Sequence, residues 1–162
     1  MMSPELRRLE QQLQTTFTAA AWHGPAVLEL LDGVTPEQAA ARPIRGAHTI
    51  WELVLHLAGT YRLVLRRLRG DAKPLTDEED WPAGATGSAG DWRDAIASLR
   101  ELNAEVRRAL AAFPTERLDQ PLVAESPYTA YAHLIGLTQH DLYHAGQIAL
   151  LKRALEDRGS AA

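Results

Sequence analysis

Apolar residues recur every three or four positions through four long stretches of this chain, and no stretch of useful length alternates with a period of two. That periodicity restricts the fold to packed helices. The first stretch carries Leu6, Leu9, Leu13, Phe17, Ala20, Val27 and Leu31, with Ser3 as cap and Pro4 at the first helical position. Gly24-Pro25 predicts a kink or short break inside it. Thr35-Pro36-Glu37-Gln38 has the form of a capping box and predicts one short helical turn. The second stretch opens on another such box, Thr49-Ile50-Trp51-Glu52, carries Leu53, Leu57, Thr60, Val64 and Leu68, and stops at Gly70. The third runs from Asp91 through Trp92, Ile96, Leu99, Asn103, Val106 and Leu110 to Phe113, where Pro114 ends it. Ser126-Pro127 predicts the start of the fourth, which extends to about Asp157. Between them, residues 71–90 read as a loop, mobile at Pro82 to Gly90, and Pro121 keeps residues 114–126 from forming a long helix.

Four helices of about 20 residues predict one all-α domain over residues 1–162, a four-helix bundle. Its two long connections leave room for crossovers, so simple up-down order is not required. The length suffices for one hydrophobic core without staples. With no cysteine, disulfides, thiolate zinc sites and a cysteine nucleophile are excluded. Lys and Arg number 17 against 21 Asp and Glu, a net charge of -4, and no basic stretch is free of acids. The densest, Arg62 to Arg69, reads as the solvated side of a helix, so nucleic acid is not an expected partner. Met1 to Gln12 is polar and mixed in charge, unlike a signal peptide, and no apolar run approaches the ~18 residues that cross a bilayer. The expectation is a cytoplasmic protein with no membrane partner. Gly84, Gly87 and Gly90 follow no strand and make no phosphate loop, and no serine occupies a nucleophile elbow. Trp22, Trp51, Trp81 and Trp92 are too scattered for a base-stacking platform and read as packing anchors.

The chemistry that remains lies in six histidines: His23, His48, His56, His133, His140 and His144. With His140 at zero and about 100° per residue, His144 falls at about 40°, Leu137 at about 60° and Leu151 at about 20°. His140 and His144 therefore share the apolar stripe of the fourth helix one turn apart, the spacing at which two imidazoles converge on one ion. His56 sits beside Leu53, Thr60 and Val64 on the core-facing stripe of the second helix. Three neutral imidazoles from two helices suit a divalent cation, with zinc, nickel, iron or manganese as candidates. Three protein ligands leave positions open to water or substrate, the pattern of a catalytic rather than a structural site. A lone histidine on an apolar stripe is more often a hydrogen-bonded core residue, so a metal-free dimeric interaction module stays open as an alternative. His133 shares the face of His140 but lies about 10 Å along the axis, which suits a pocket or core residue better than a ligand. His48 belongs to a cap region and His23 takes no role. Asp141 and Glu52 are candidates to orient the ligands, or else solvated surface charges.

The segments HTIWELVLHLAGTYRLVLRRLRG, with His56, and HLIGLTQHDLYHAGQIALL, with His140 and His144, resemble the DinB/YfiT-like superfamily of metal-binding four-helix bundles. The His-x-x-x-His-x-Gly-Gln-Ile string is the sharper likeness, and Gly146 reads as a place where another helix approaches closely. The order of elements fits that family over nearly the whole chain. The resemblance implies crossover connections, a homodimer, and metal-dependent chemistry with low-molecular-weight thiols such as bacillithiol or mycothiol, the metal activating the thiol as thiolate. Thr60 departs from the pattern, since members often carry an acid one turn after the first histidine. The leading expectation is a metal-dependent hydrolase or thiol S-transferase that acts on a small electrophile. It holds zinc or nickel foremost on His56, His140 and His144, and no catalytic side chain is assigned. The alternative is a non-catalytic metal- or ligand-binding dimeric bundle with a stress-response role.

Overall fold

Ser3, Thr35, Thr49, Thr76 and Ser88 each accept a hydrogen bond from the backbone N–H three residues on, and each marks a helix start. In the computed structural model, which describes residues 2–19, 21–82, 88–124 and 126–160, the chain is all-helical. The helices are α1 (Pro4–Phe17), α2 (Val27–Leu31), α3 (Pro36–Ala40), α4 (Ile50–Leu68), α5 (Asp77–Asp80), α6 (Ala89–Ala111) and α7 (Ala130–Ser160), with a 3-10 turn at Thr115–Arg117. None of the described helices is long and apolar enough to cross a membrane.

Several boundaries depart from the pattern. The first apolar stretch is two helices, because α1 stops at Phe17 and α2 begins only at Val27. Gly24 sits between them at φ 146°, and Pro25 follows it, so the interruption is longer than a kink. Ser88 caps α6, and Asp91 is the residue whose N–H that cap receives. The start of α7 is Thr129, whose hydroxyl accepts from Ala132 N at 3.1 Å, whereas Ser126 closes a turn with Tyr128 N at 3.2 Å. Backbone bonds from Ala130 N to Gln120 O (2.7 Å) and from Tyr131 N to Leu118 O (2.9 Å) tie this entry to the preceding connection, which delays the helix. The segment expected to be loop contains α5, and residues 83–87 of its expected mobile part lie outside the described residues. Trp51 and Trp92 are buried against each other with ring centroids 5.1 Å apart, while Trp22 is 95% exposed.

Among the four long helices, α4 packs on α6 and α7, and α1 packs on the same two. The order around the core is thus α1, α6, α4, α7. Consecutive long helices α1 and α4 stand across the core from each other, as do α6 and α7. The neighbours α4 and α6 run parallel: Trp51 meets Trp92 near their starts, Arg62 bonds Ser98 at 3.2 Å in the middle, and Arg69 faces Glu105 at 3.8 Å near the end of α4. A parallel pair requires a return connection along the 19 residues of α4, about 28 Å. Within the described residues 69–82 of this connection, α5 lies across α4. At the crossing a Cβ on Gly59 would lie 2.6 Å from Glu79 O, so only glycine admits the α5 backbone there. Leu53, Leu57, Leu99, Leu110, Leu13 and Ile148 are among the buried side chains between the helices.

Candidate metal centre

The stripe periodicity that buries α4 and α7 also turns three imidazoles toward one point. His56 and His144 are buried and His140 is half-buried. The Nε2 of His140 lies 3.0 Å from Nε2 of His56 and 3.1 Å from Nε2 of His144. One ring nitrogen from each of the three falls within 4.8 Å of the others, so the cluster could hold a metal ion.

The tautomers follow from the outer nitrogens. Nδ1 of His56 faces two acceptors of one residue, Asp80 O at 2.9 Å and Asp80 Oδ1 at 3.0 Å. It therefore carries hydrogen, and Nε2 presents its lone pair inward. Nδ1 of His144 donates to Gln147 Oε1 at 2.7 Å, with the same result. Two lone pairs thus aim at the Nε2 of a third ring, whose single proton there could serve one of them at a time. His140 Nδ1 is buried and has no partner among the described residues. A cation at the centre satisfies the three inward nitrogens together. Nitrogens bound at about 2.1 Å to one ion in tetrahedral geometry lie about 3.4 Å apart, a few tenths of an ångström from the two spacings found here. The donor set therefore fits a divalent metal. Burial first, and then the charge that His144 and His56 would carry, pushes the His140 pKa down to about 4. Burial also lowers His144. Rings that resist protonation are ready to bind metal at neutral pH.

The residues that steer these rings were not the ones expected. Glu52 is occupied at the start of α4, where it accepts from Thr49 N at 2.8 Å and from Arg42 at 2.6 Å. Asp141 is fully buried rather than a surface charge: its Oδ2 accepts from Tyr61 OH at 2.6 Å, and that hydroxyl accepts from Asn103 Nδ2 at 2.8 Å. Burial pushes the Asp141 carboxyl up to about 7 and, with Asp141 beside it, the Tyr61 hydroxyl well above its usual value. Asp141 thus joins α4, α6 and α7. The orienting partners are Gln147, on the same helix, and Asp80, at the end of α5.

Beside Asp80, Trp81 stacks between two imidazoles, 3.9 Å from His56 at an interplanar angle of 3° and 3.7 Å from His48 at 11°. It covers one face of the His56 ring. Arg66 pairs with Glu79 and fastens α5 to α4; this guanidinium, with the Thr76 N–H, holds the Glu79 carboxyl down at about 2. The sequence signal for α5 is the Thr76-x-x-Glu79 box, which marks a helix start but not where that helix docks.

The remaining histidines stand apart from the cluster. His48 Nδ1 lies 3.4 Å from Glu52 at the start of α4, as its position suggested, and His23 meets Trp22 edge-on. His133 Nδ1 donates to Thr129 O at 3.3 Å, and its side chain lines a recess of about 510 Å³ with Thr60, Gly136 and His140. Gly146 does not serve close helix approach, because a Cβ there would meet nothing within 4 Å; that role falls to Gly59.

With this geometry in place, comparison with known proteins is informative at one level. The family model described as the DinB superfamily matches residues 18–148, a span that contains all three histidines and the α5 crossing. No curated protein and no solved structure matches the chain.

Proposed function

Because the chain belongs to the DinB superfamily, we propose that it is a divalent-metal protein whose His56, His140 and His144 hold one ion through Nε2. The four long helices would form a four-helix bundle with crossover connections around that ion. The observation behind this reading is the fixed tautomers of His56 and His144, each with a lone pair aimed at His140. Zinc or nickel suits three imidazoles best, followed by iron or manganese. A bound ion of this kind lowers the pKa of a thiol or water and supplies a nucleophile at neutral pH. The chain's own contribution is positional. Asp80 and Gln147 hold two rings in register, and Trp81 keeps water from one face of His56. Three protein ligands leave coordination positions for a partner molecule.

The activity that fits is a metal-dependent thiol S-transferase or hydrolase acting on a small electrophile, with a low-molecular-weight thiol as the other partner. The test is metal analysis of untagged protein, followed by a thiol-transfer assay on model electrophiles. One ion per chain and turnover abolished by chelator are expected, with His144→Ala losing both. Untagged protein that takes up no divalent ion would overturn the reading. One observation favours a second reading, a bundle that binds metal and ligand without turnover: among the described residues no carboxylate lines the recess beside His140. Full metal loading without turnover of any electrophile would select it.

A further inference from the structure

The recess beside His140 is walled by Leu63, Val64, Ile135 and Leu137 from α4 and α7, and its volume of about 510 Å³ is that of a small-molecule site. Among the described residues no Asp, Glu, Lys or Arg lines it, although these residue types make up 23% of the chain. Its polar groups are few. Thr60 and Tyr128 offer hydroxyls, Gln139 an amide, and His133, whose Nδ1 donates to Thr129 O, offers Nε2 as an acceptor, all of them uncharged. His140 belongs both to this wall and to the histidine cluster, and it is the least buried of the three clustered rings.

Gly136 keeps the space open. It lies inside α7 without a left-handed φ, and a Cβ on it would meet no atom within 4 Å. Glycine within a helix is costly relative to alanine. Neither backbone conformation nor close packing requires it here. What its missing side chain leaves is volume in the recess.

We infer that this recess binds the organic substrate, an uncharged and mainly apolar small molecule seated against His140, and that Gly136 sets the depth available to it. Apart from an ion on the histidine cluster, a charged molecule would meet no counter-charge among the described lining residues and would lose hydration without compensation. The placement against the cluster rests on the metal reading; the binding of an apolar molecule does not. Thr60 supports the assignment, because a carboxylate at this position would put a charge into the recess.

The test uses metal-free full-length protein and the uncharged fluorophore N-phenyl-1-naphthylamine. Saturable binding at one site per chain is expected, with the ring proton resonances of His140 and His133 shifting and those of His23 unmoved. Gly136→Leu should raise the Kd at least tenfold. Gly136→Ala, whose added methyl meets no atom, should raise the Tm and weaken binding by a smaller factor. It keeps the test decisive if the leucine variant fails to fold. Unaltered affinity in both variants, or unmoved His140 resonances at saturation, would overturn the assignment. Equally tight binding of the anionic 1-anilinonaphthalene-8-sulfonate would overturn the claim that the site selects uncharged molecules. Failure of the metal reading would show separately, as absence of zinc uptake by protein that still binds the fluorophore.

Discussion

At the scale of single residues, the centre depends on the partners of the ring nitrogens that face away from it. Asp80 meets His56 Nδ1 twice, through its backbone oxygen and through its carboxylate. Asp80→Ala leaves the first contact and removes the second, so zinc affinity by titration calorimetry should fall about tenfold or more. Glu52→Gln should change it far less, because Glu52 is committed to Thr49 and Arg42. A second residue-scale consequence concerns acid. In the metal-free fold His140 takes a proton only near about 4, against 6.5 for an ordinary imidazole. Between those values the unfolded chain holds the extra proton, so falling pH removes stability. Asp141 has the opposite sign: it holds its proton up to about 7 in the fold against 3.8 ordinarily, so falling pH adds stability over that range. The two responses oppose each other across much of one window. Asp141→Asn, which keeps an acceptor for Tyr61, should leave the His140 response unopposed. The Tm of metal-free Asp141→Asn should then drop more steeply from pH 7 to 4 than that of wild type, and exceed it at pH 8. Parallel melting curves would mean that Asp141 is not protonated in the fold.

At the scale of elements, what could be read in advance was whatever local spacing encodes. The caps at Ser3, Thr35 and Thr49, the stop at Gly70 (φ 83°) and the inward register of His56, His140 and His144 all follow from patterns shorter than two turns. Two features were beyond that range. The helix α5 has four residues, too few to show a period, and its partner histidine lies 24 positions away. The start of α7 depends on backbone bonds to Leu118 and Gln120, which no cap pattern records. The docking of α5 also carries a prediction. Gly59→Val would force a side chain into the place of Glu79 O and lift α5 from α4. The cost should be about 1–3 kcal/mol. Circular dichroism should still show a helical protein, while zinc affinity falls and Trp81 no longer stacks on His56, a change readable in tryptophan fluorescence.

At the scale of the whole molecule, the outer face of α7 carries Tyr143 and Leu150, 65% and 57% exposed and seven residues apart, hence on one side of the helix. We expect a homodimer that covers this face. Light scattering at high micromolar concentration should give twice the chain mass, and Leu150→Glu should shift it toward the monomer. A wild-type monomer at that concentration would remove the expectation.

The return connection over α4 has a consequence in time as well as in space. His56 and His140 stand 84 positions apart, and they meet only where α4 packs on α7. An incompletely folded chain can offer an ion only the His140–His144 pair on a single helix. The full ligand set exists only after α4 has docked on α7, and we expect that docking to follow the rate-limiting barrier. An interaction absent from the rate-limiting barrier lowers the unfolding rate and leaves the folding rate alone. Zinc should therefore act as a latch: in stopped-flow denaturant jumps it should slow the unfolding limb by orders of magnitude while the refolding limb stays where it is without metal.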